Sequence, residues 1–298
     1  MAELADLFPG FAARRIETGS ISLFARIGGS GPPVVLVHGY PQTHAEWHHI
    51  APELAKRHTI VALDLRGYGA SDAPASANGA AYTKRIMAAD VVAAMRALGH
   101  DRFAFVGHDR GARVGYRLAL DHRECLAKLA VLDIVPTLAM WKGMNAARAI
   151  AVYHWSFLAQ PKPLPEKLIA PASRFYLDHT LASWTKKKNL DAFDPRALDH
   201  YRAFFAEPAR IHACCEDYRA GATFDWADDE ANFAAQRKIT TPMLALWGGA
   251  GLPAQGENPL DVWRRWAVDV KGHAIDCGHF LPEEAPEETA AALATFLA

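Results

Sequence analysis

Apolar runs that alternate between strand-like and helix-like spacing, broken by one long strand-free stretch, predict an α/β protein. The expected architecture is a mostly parallel sheet flanked by helices, with an inserted helical cap. Two observations carry this. Short runs rich in Val, Ile and Leu recur through residues 21–134 and again through 243–275, separated by helical patterns. Strands buried on both faces read this way. Between about residues 136 and 226 no strand pattern occurs, and four of the eight tryptophans (Trp141, Trp155, Trp184, Trp226) fall there.

Taken in order, residues 21–27 read as a strand and 33–38 as a fully buried one. Residues 45–56 pattern as a helix, 59–63 as a strand, and 83–98 as a helix stopped by Gly99. A strand at 103–106, a helix at 111–121 and a strand at 129–134 follow. After the interruption come a strand at 243–247, a helix at 260–266, a strand at 268–275 and a helix at 284–297. The expected division is a core of residues 1–136 and 227–298, with the cap inserted at 137–226.

Composition narrows the class. A chain of 298 residues buries a sizeable core without staples. With 32 Lys+Arg against 33 Asp+Glu, it lacks the basic excess that nucleic acid demands. The four cysteines form no C-x-x-C pair, and the adjacent Cys214 and Cys215 would close a strained ring, so a reducing compartment is expected. The acidic start has no apolar h-region, and the uncharged stretches 27–45 and 239–256 are broken by Gly and Pro. No membrane is expected as a partner, and the expected location is the cytoplasm.

The chemistry starts at Gly107-His108-Asp109-Arg110-Gly111, which follows an expected strand and opens an expected helix. This is the nucleophile-elbow pattern G-x-S-x-G with Asp109 in the serine's place; small flanking residues suit a sharp turn that leaves no room for side chains. A tight turn with an incidental Asp is the plainer alternative. Upstream, His38-Gly39-Tyr40-Pro41 ends the buried strand. In such a fold the backbone N–H groups of Tyr40 and Arg110 would form an oxyanion hole. With these two motifs the chain resembles the α/β-hydrolase superfamily over its whole length, and the loop from Asp64 to Asp72 resembles that family's too.

An aspartate nucleophile narrows the reaction. Attack on an ester carbonyl would give an uphill anhydride, whereas attack on a saturated carbon gives a stable alkyl ester. The substrate must offer a halide or an epoxide oxygen. Water then needs a general base. His279, in Asp276-Cys-Gly-His-Phe, sits where the family's histidine falls. The usual place for its orienting acid is vacant, since Trp247-Gly-Gly-Ala leads to Gly251, and Asp133 is the alternative.

Arg110 and Arg113 put two cations beside the nucleophile, as a clamp for a substrate carboxylate would require. The plainer alternative is a structural salt-bridge pair. This clamp, the relocated Asp133, and the cap segments Tyr153-His154-Trp155 and Cys215–Arg219 together resemble fluoroacetate dehalogenases, a haloacetate-hydrolysing branch of the superfamily. The resemblance implies that His154, Trp155 and Tyr218 donate hydrogen bonds to the leaving halide. It also implies a homodimer acting on a small haloacid without cofactor or metal. Tyr40 departs from the phenylalanine common in that branch. An epoxide hydrolase would share Asp109 and His279 and could use Tyr153 and Tyr218 on the epoxide oxygen. A non-catalytic small-molecule receptor is the third reading.

Overall fold

The computed structural model describes residues 4–298. Eight strands form one sheet in the order β1-β2-β4-β3-β5-β6-β7-β8. They are β1 (Ala12–Glu17), β2 (Ser22–Gly28), β3 (Pro33–Val37), β4 (Thr59–Leu63), β5 (Phe103–His108), β6 (Leu126–Leu132), β7 (Met243–Gly248) and β8 (Val270–Ile275). β2 pairs antiparallel with both β1 and β4. From β4 across to β8 every neighbour is parallel. The fold class is therefore the one the alternation implied.

Every residue of β5 and β7 is buried, which is why these strands read as unbroken apolar runs. The sequence pattern misses β1. All but one of its residues are exposed on the sheet edge, so no apolar alternation marks it. The helix expected over 45–56 is instead a 3-10 turn at His44–Trp47 followed by a short helix at Ala51–Leu54. Pro52 lies in the first turn of the second piece and would break a continuous helix.

Between β6 and β7 the chain forms only helices, 3-10 turns and loops. The last of these helices spans Phe224–Ala234, so the expected boundary at 226 falls inside it. No helix among the described residues is long and apolar enough to cross a membrane.

What the fold supplies to function is the row of carboxyl strand ends. His38 to Tyr40 follow β3, Asp109 follows β5, Asp133 follows β6 and His279 follows β8. Open α/β sheets place ligands at this edge. Helix α1 (Lys84–Ala97) flanks the sheet, capped by the Thr83 hydroxyl accepting from the Ile86 N–H at 3.2 Å. Helix α2 (Asp109–Asp121) springs directly from β5.

Close approach of α2 to β3 requires Gly111. A Cβ there would run into the backbone carbonyl oxygens of Val37 and His38, which cannot retreat without moving the strand. Gly249, by contrast, would place a Cβ at an ordinary 3.4 Å from the Ile275 oxygen. Gly111→Ala should therefore cost about 1–3 kcal/mol by overpacking, read from the urea midpoint, while Gly249→Ala stays much closer to wild type. Equal effects would show that the α2–β3 contact does not constrain the elbow.

Candidate active site

Among the described residues only five non-glycine residues have positive φ: Asn78, Asp109, Asp133, Lys188 and Gln236. Two of these five are the carboxylates singled out in the sequence, at φ +41° for Asp109 and +54° for Asp133. Backbone strain of this kind persists only where the surroundings over-determine it. At Asp109 it turns the side chain out of the β5–α2 junction, and Oδ2 accepts the Tyr40 N–H at 3.2 Å.

Asp133 faces His279. Its Oδ2 lies 2.6 Å from His279 Nδ1, and its Oδ1 accepts the Gly248 N–H at 2.8 Å. With Nδ1 donating to the carboxylate, Nε2 is left as the acceptor. That atom is buried and has no partner in the protein. The His279 N–H in turn donates to the Trp184 carbonyl at 3.0 Å.

A cavity of about 780 Å³ opens onto Asp109, Asp133 and His279, and Arg113, His154 and Trp155 share its walls. Burial opposes ionisation of Asp109, but His279, Arg113, His108 and Arg110 together hold its carboxyl below the usual range. A deprotonated carboxylate is the form a nucleophile needs.

The two arginines sit differently, one on the cavity and the other clasped by a carboxylate. Arg113 lines the cavity. Its Nη1 donates to the Val135 carbonyl at 3.0 Å and to the Thr137 hydroxyl at 3.1 Å, while Nε has no partner. Arg110 is fully buried behind the wall. Its Nε and Nη2 are clasped by Asp217, on helix α4 once the cap helices α3 (Tyr153–Leu158) and α4 (Pro208–Ala222) are counted, and only Nη1 is unpartnered.

His154 and Trp155 open α3 and Tyr218 lies on α4. The rings meet, with centroids 5.6 Å apart for His154–Tyr218 and 6.0 Å for Trp155–Tyr218. Burial pushes the His154 imidazole down to about 3, so it is neutral and donates a single N–H. Arg110 lies 4.3 Å from the Tyr218 ring centre and Arg113 lies 4.6 Å from that of Trp155. Tyr40 stacks parallel to His154 at 6.4 Å, its hydroxyl buried and unpartnered.

An alpha/beta hydrolase fold model matches residues 32–286. The chain belongs to the alpha/beta hydrolase family. It is 40% identical to fluoroacetate dehalogenase from Burkholderia sp, over 98% of this chain and 95% of that protein. It is 32% identical to a soluble epoxide hydrolase from Corynebacterium sp. (strain C12), over 87% of each. Among solved structures, a protein from Nostoc sp PCC 7120 described as an alpha/beta hydrolase superposes with TM-score 0.94 at 49% identity, covering 97% of this chain and 98% of that one.

Three residues of this hydrolase's site escaped the sequence reading. Trp184 was noted only as a cap tryptophan, yet it packs 4.4 Å from His154 and 5.3 Å from His279. Asp217 lies within a quoted cap segment with no sign of its partner. Glu46 carried no signal at all. Its Oε2 accepts the Gly39 N–H at 2.9 Å and its Oε1 lies 3.1 Å from His108 Nδ1. His108 Nε2 then donates to the His279 carbonyl at 2.9 Å. One buried ion pair thus ties the loops after β3, β5 and β8 together.

Burial pushes the His108 imidazole down, but Glu46 more than offsets this and raises it from 6.5 to about 9. A group with a raised folded pKa contributes stability that is complete below its unfolded value and lost as pH rises through the folded one. The hydrolase should therefore lose roughly 3 kcal/mol from this group between about pH 6.5 and 9. Thermal melts across that range should fall more steeply for wild type than for His108→Gln, and parallel curves would exclude a charged His108.

Proposed function

We propose that this hydrolase releases halide from haloacetates, fluoroacetate included, through an ester on Asp109. The observation that carries the reading is an ionised carboxylate at the elbow whose cavity also offers an unpartnered Arg113 Nε and an unpartnered His279 Nε2. A carboxylate nucleophile and a carboxylate substrate repel, and cations already in place cancel that repulsion. The similarity to fluoroacetate dehalogenase supports the same reading.

In the first step an Asp109 oxygen attacks the halogen-bearing carbon, the carbon–halogen bond breaks, and halide leaves with the bonding pair. Arg113 Nε holds the substrate carboxylate, and Arg110, buried behind it, adds its positive charge. His154, Trp155 and Tyr218 donate to the departing halide. In the second step His279 Nε2 takes a proton from water, whose oxygen attacks the Asp109 ester carbonyl. The N–H groups of Tyr40 and Arg110 receive the developing oxyanion. Collapse breaks the ester C–O bond, His279 returns its proton to the departing oxygen to give glycolate, and Asp109 loses the remaining water proton to solvent and is restored as a carboxylate. Asp133 keeps His279 in the tautomer this requires and stabilises its imidazolium.

Epoxide opening is the competing reading, since several relatives carry that name. It asks for two tyrosines turned together on one oxygen. Tyr153 is 39% exposed, while Tyr218 lies buried against Arg110.

A panel of fluoroacetate, chloroacetate and a simple epoxide distinguishes the readings, with halide release from the acids expected. His279→Asn should let Asp109 attack but not be freed, so peptide mass spectrometry after haloacetate treatment should find a carboxymethyl group on Asp109. Full halide release with unmodified protein would overturn the two-step scheme.

Fluoride is the poorest leaving group of the halides and depends most on preorganised donors. Removing one such donor from a dry site costs about 2.7–4 kcal/mol, or about 10²–10³ in rate. Trp155→Phe keeps the ring over Arg113 and deletes the indole N–H. It should therefore reduce kcat/KM for fluoroacetate far more than for chloroacetate. Equal losses would make Trp155 a packing residue.

A further inference from the structure

The Asp217 carboxylate that clasps Arg110 also pairs with a lysine. Lys84, the first residue of α1, is 1% exposed, and its Nζ pairs with Asp217 Oδ1. The same oxygen receives Arg110 Nη2, while Oδ2 accepts from Arg110 Nε at 3.1 Å and from the Tyr68 hydroxyl at 2.7 Å. One carboxylate therefore serves two cations in a dry setting. A second carboxylate stands nearby: Asp225, on the helix Phe224–Ala234, has Oδ2 3.7 Å from Nζ and Oδ1 2.8 Å from the Lys84 N–H.

Were Arg110 paired with Asp217 alone, its charge would be cancelled locally and would attract an incoming anion only weakly. Sharing Asp217 with Lys84 leaves the Arg110 side of the cluster under-neutralised. Arg110 Nη1 is buried and unpartnered, so no other protein group cancels that excess. Of the buried charges nearest Arg110, the cations Arg113 and Lys84 stand with it against Asp109, Asp217 and Asp225. Removing Lys84 takes one of three cations from this group before an anion arrives. Neutral burial would be the lower-energy way to fill this space, because desolvating an ion pair offsets much of its attraction. A lysine retained here under that penalty is explained by a demand for charge.

We propose that Lys84 is a specificity-determining positioning residue: by sharing Asp217 it leaves more of the Arg110 charge to attract a substrate carboxylate in the cavity, without itself touching substrate. The inference rests on the carboxylate-clamp reading above. Asp225 opposes it, so the two residues act on anion affinity with opposite signs. Coulomb coupling at buried sites of intermediate dielectric makes effects of about tenfold the expected size.

The test compares wild type, Lys84→Gln, Lys84→Arg and Asp225→Asn, with acetate as an unreactive carboxylate probe and acetamide as its neutral counterpart. Titration calorimetry gives the Kd, and haloacetate turnover gives KM and kcat separately. Lys84→Gln should weaken acetate about tenfold and raise KM for haloacetate, leaving kcat within about twofold. Lys84→Arg should recover most of the loss, and Asp225→Asn should bind acetate more tightly than wild type. Binding of acetamide should not change across the series. If acetate affinity is the same in wild type, Lys84→Gln and Asp225→Asn while wild type still dehalogenates haloacetates, the charge-sharing role is wrong and the dehalogenase reading stands. If wild type binds acetate no better than acetamide and opens epoxides instead, both fail. Should Lys84→Gln not fold, Asp225→Asn decides: unchanged or weaker acetate binding overturns the proposal.

Discussion

The constraint on which this hydrolase depends is that one non-glycine residue, Asp109, must hold φ +41° where β5 becomes α2. Such a conformation costs of order 1–3 kcal/mol and survives only if its neighbours leave no alternative. They leave none. Gly107 and Gly111 let the backbone of α2 come against β5 and β3, where a Cβ at either position would overlap main-chain atoms. The result is a carboxylate at the tip of a turn, beside the Tyr40 N–H and at the positive end of a helix. Everything else about the site follows from having an anion fixed there.

An anion held in a buried place must be answered by charge and hydrogen bonding, and the fold answers it in three separate layers. The His108–Glu46 pair lies beneath the elbow, the hydrogen-bonded His279–Asp133 pair lies to one side, and the Arg110–Asp217–Lys84 cluster lies between core and cap. Each layer joins elements far apart in sequence: Asp217 lies 107 residues from Arg110, and Asp133 lies 146 from His279. Breaking any of these pairs on one side leaves a buried charge alone, which is far more costly than the pair's net contribution. The electrostatics of the site and the docking of the cap are therefore one problem.

Much of this was legible in the chain. The alternating runs identified the parallel sheet because its central strands are buried on both faces, and the elbow was legible because sterics confine it to a short local pattern. Asp133 and His279 could be located because strand ends are where such a fold puts side chains. What was not legible has a common physical origin. β1 is an edge strand exposed to water and shows no periodicity. Glu46, Lys84 and Asp217 are ordinary charged letters whose meaning comes only from a partner brought near by the fold. The partner of Arg110 was hidden for the same reason, since nothing local announces that Asp217 lies against it.

Two aromatic rings of the site rest on the guanidiniums: Trp155, which lines the cavity, on Arg113, and Tyr218 on Arg110. These stacks join what the proposed reaction treats as two tasks, gripping the head of the substrate and easing its leaving group away. A guanidinium that shifts to meet a carboxylate drags its aromatic partner, and a ring exchanged for a smaller one loosens the cation beneath it. On the proposed reaction, selectivity for the acid and tolerance of the halogen would be a single inherited trait. Breeding this scaffold toward bulkier or neutral halogenated compounds would mean rebuilding both ends of the pocket in concert, rather than trading one end at a time.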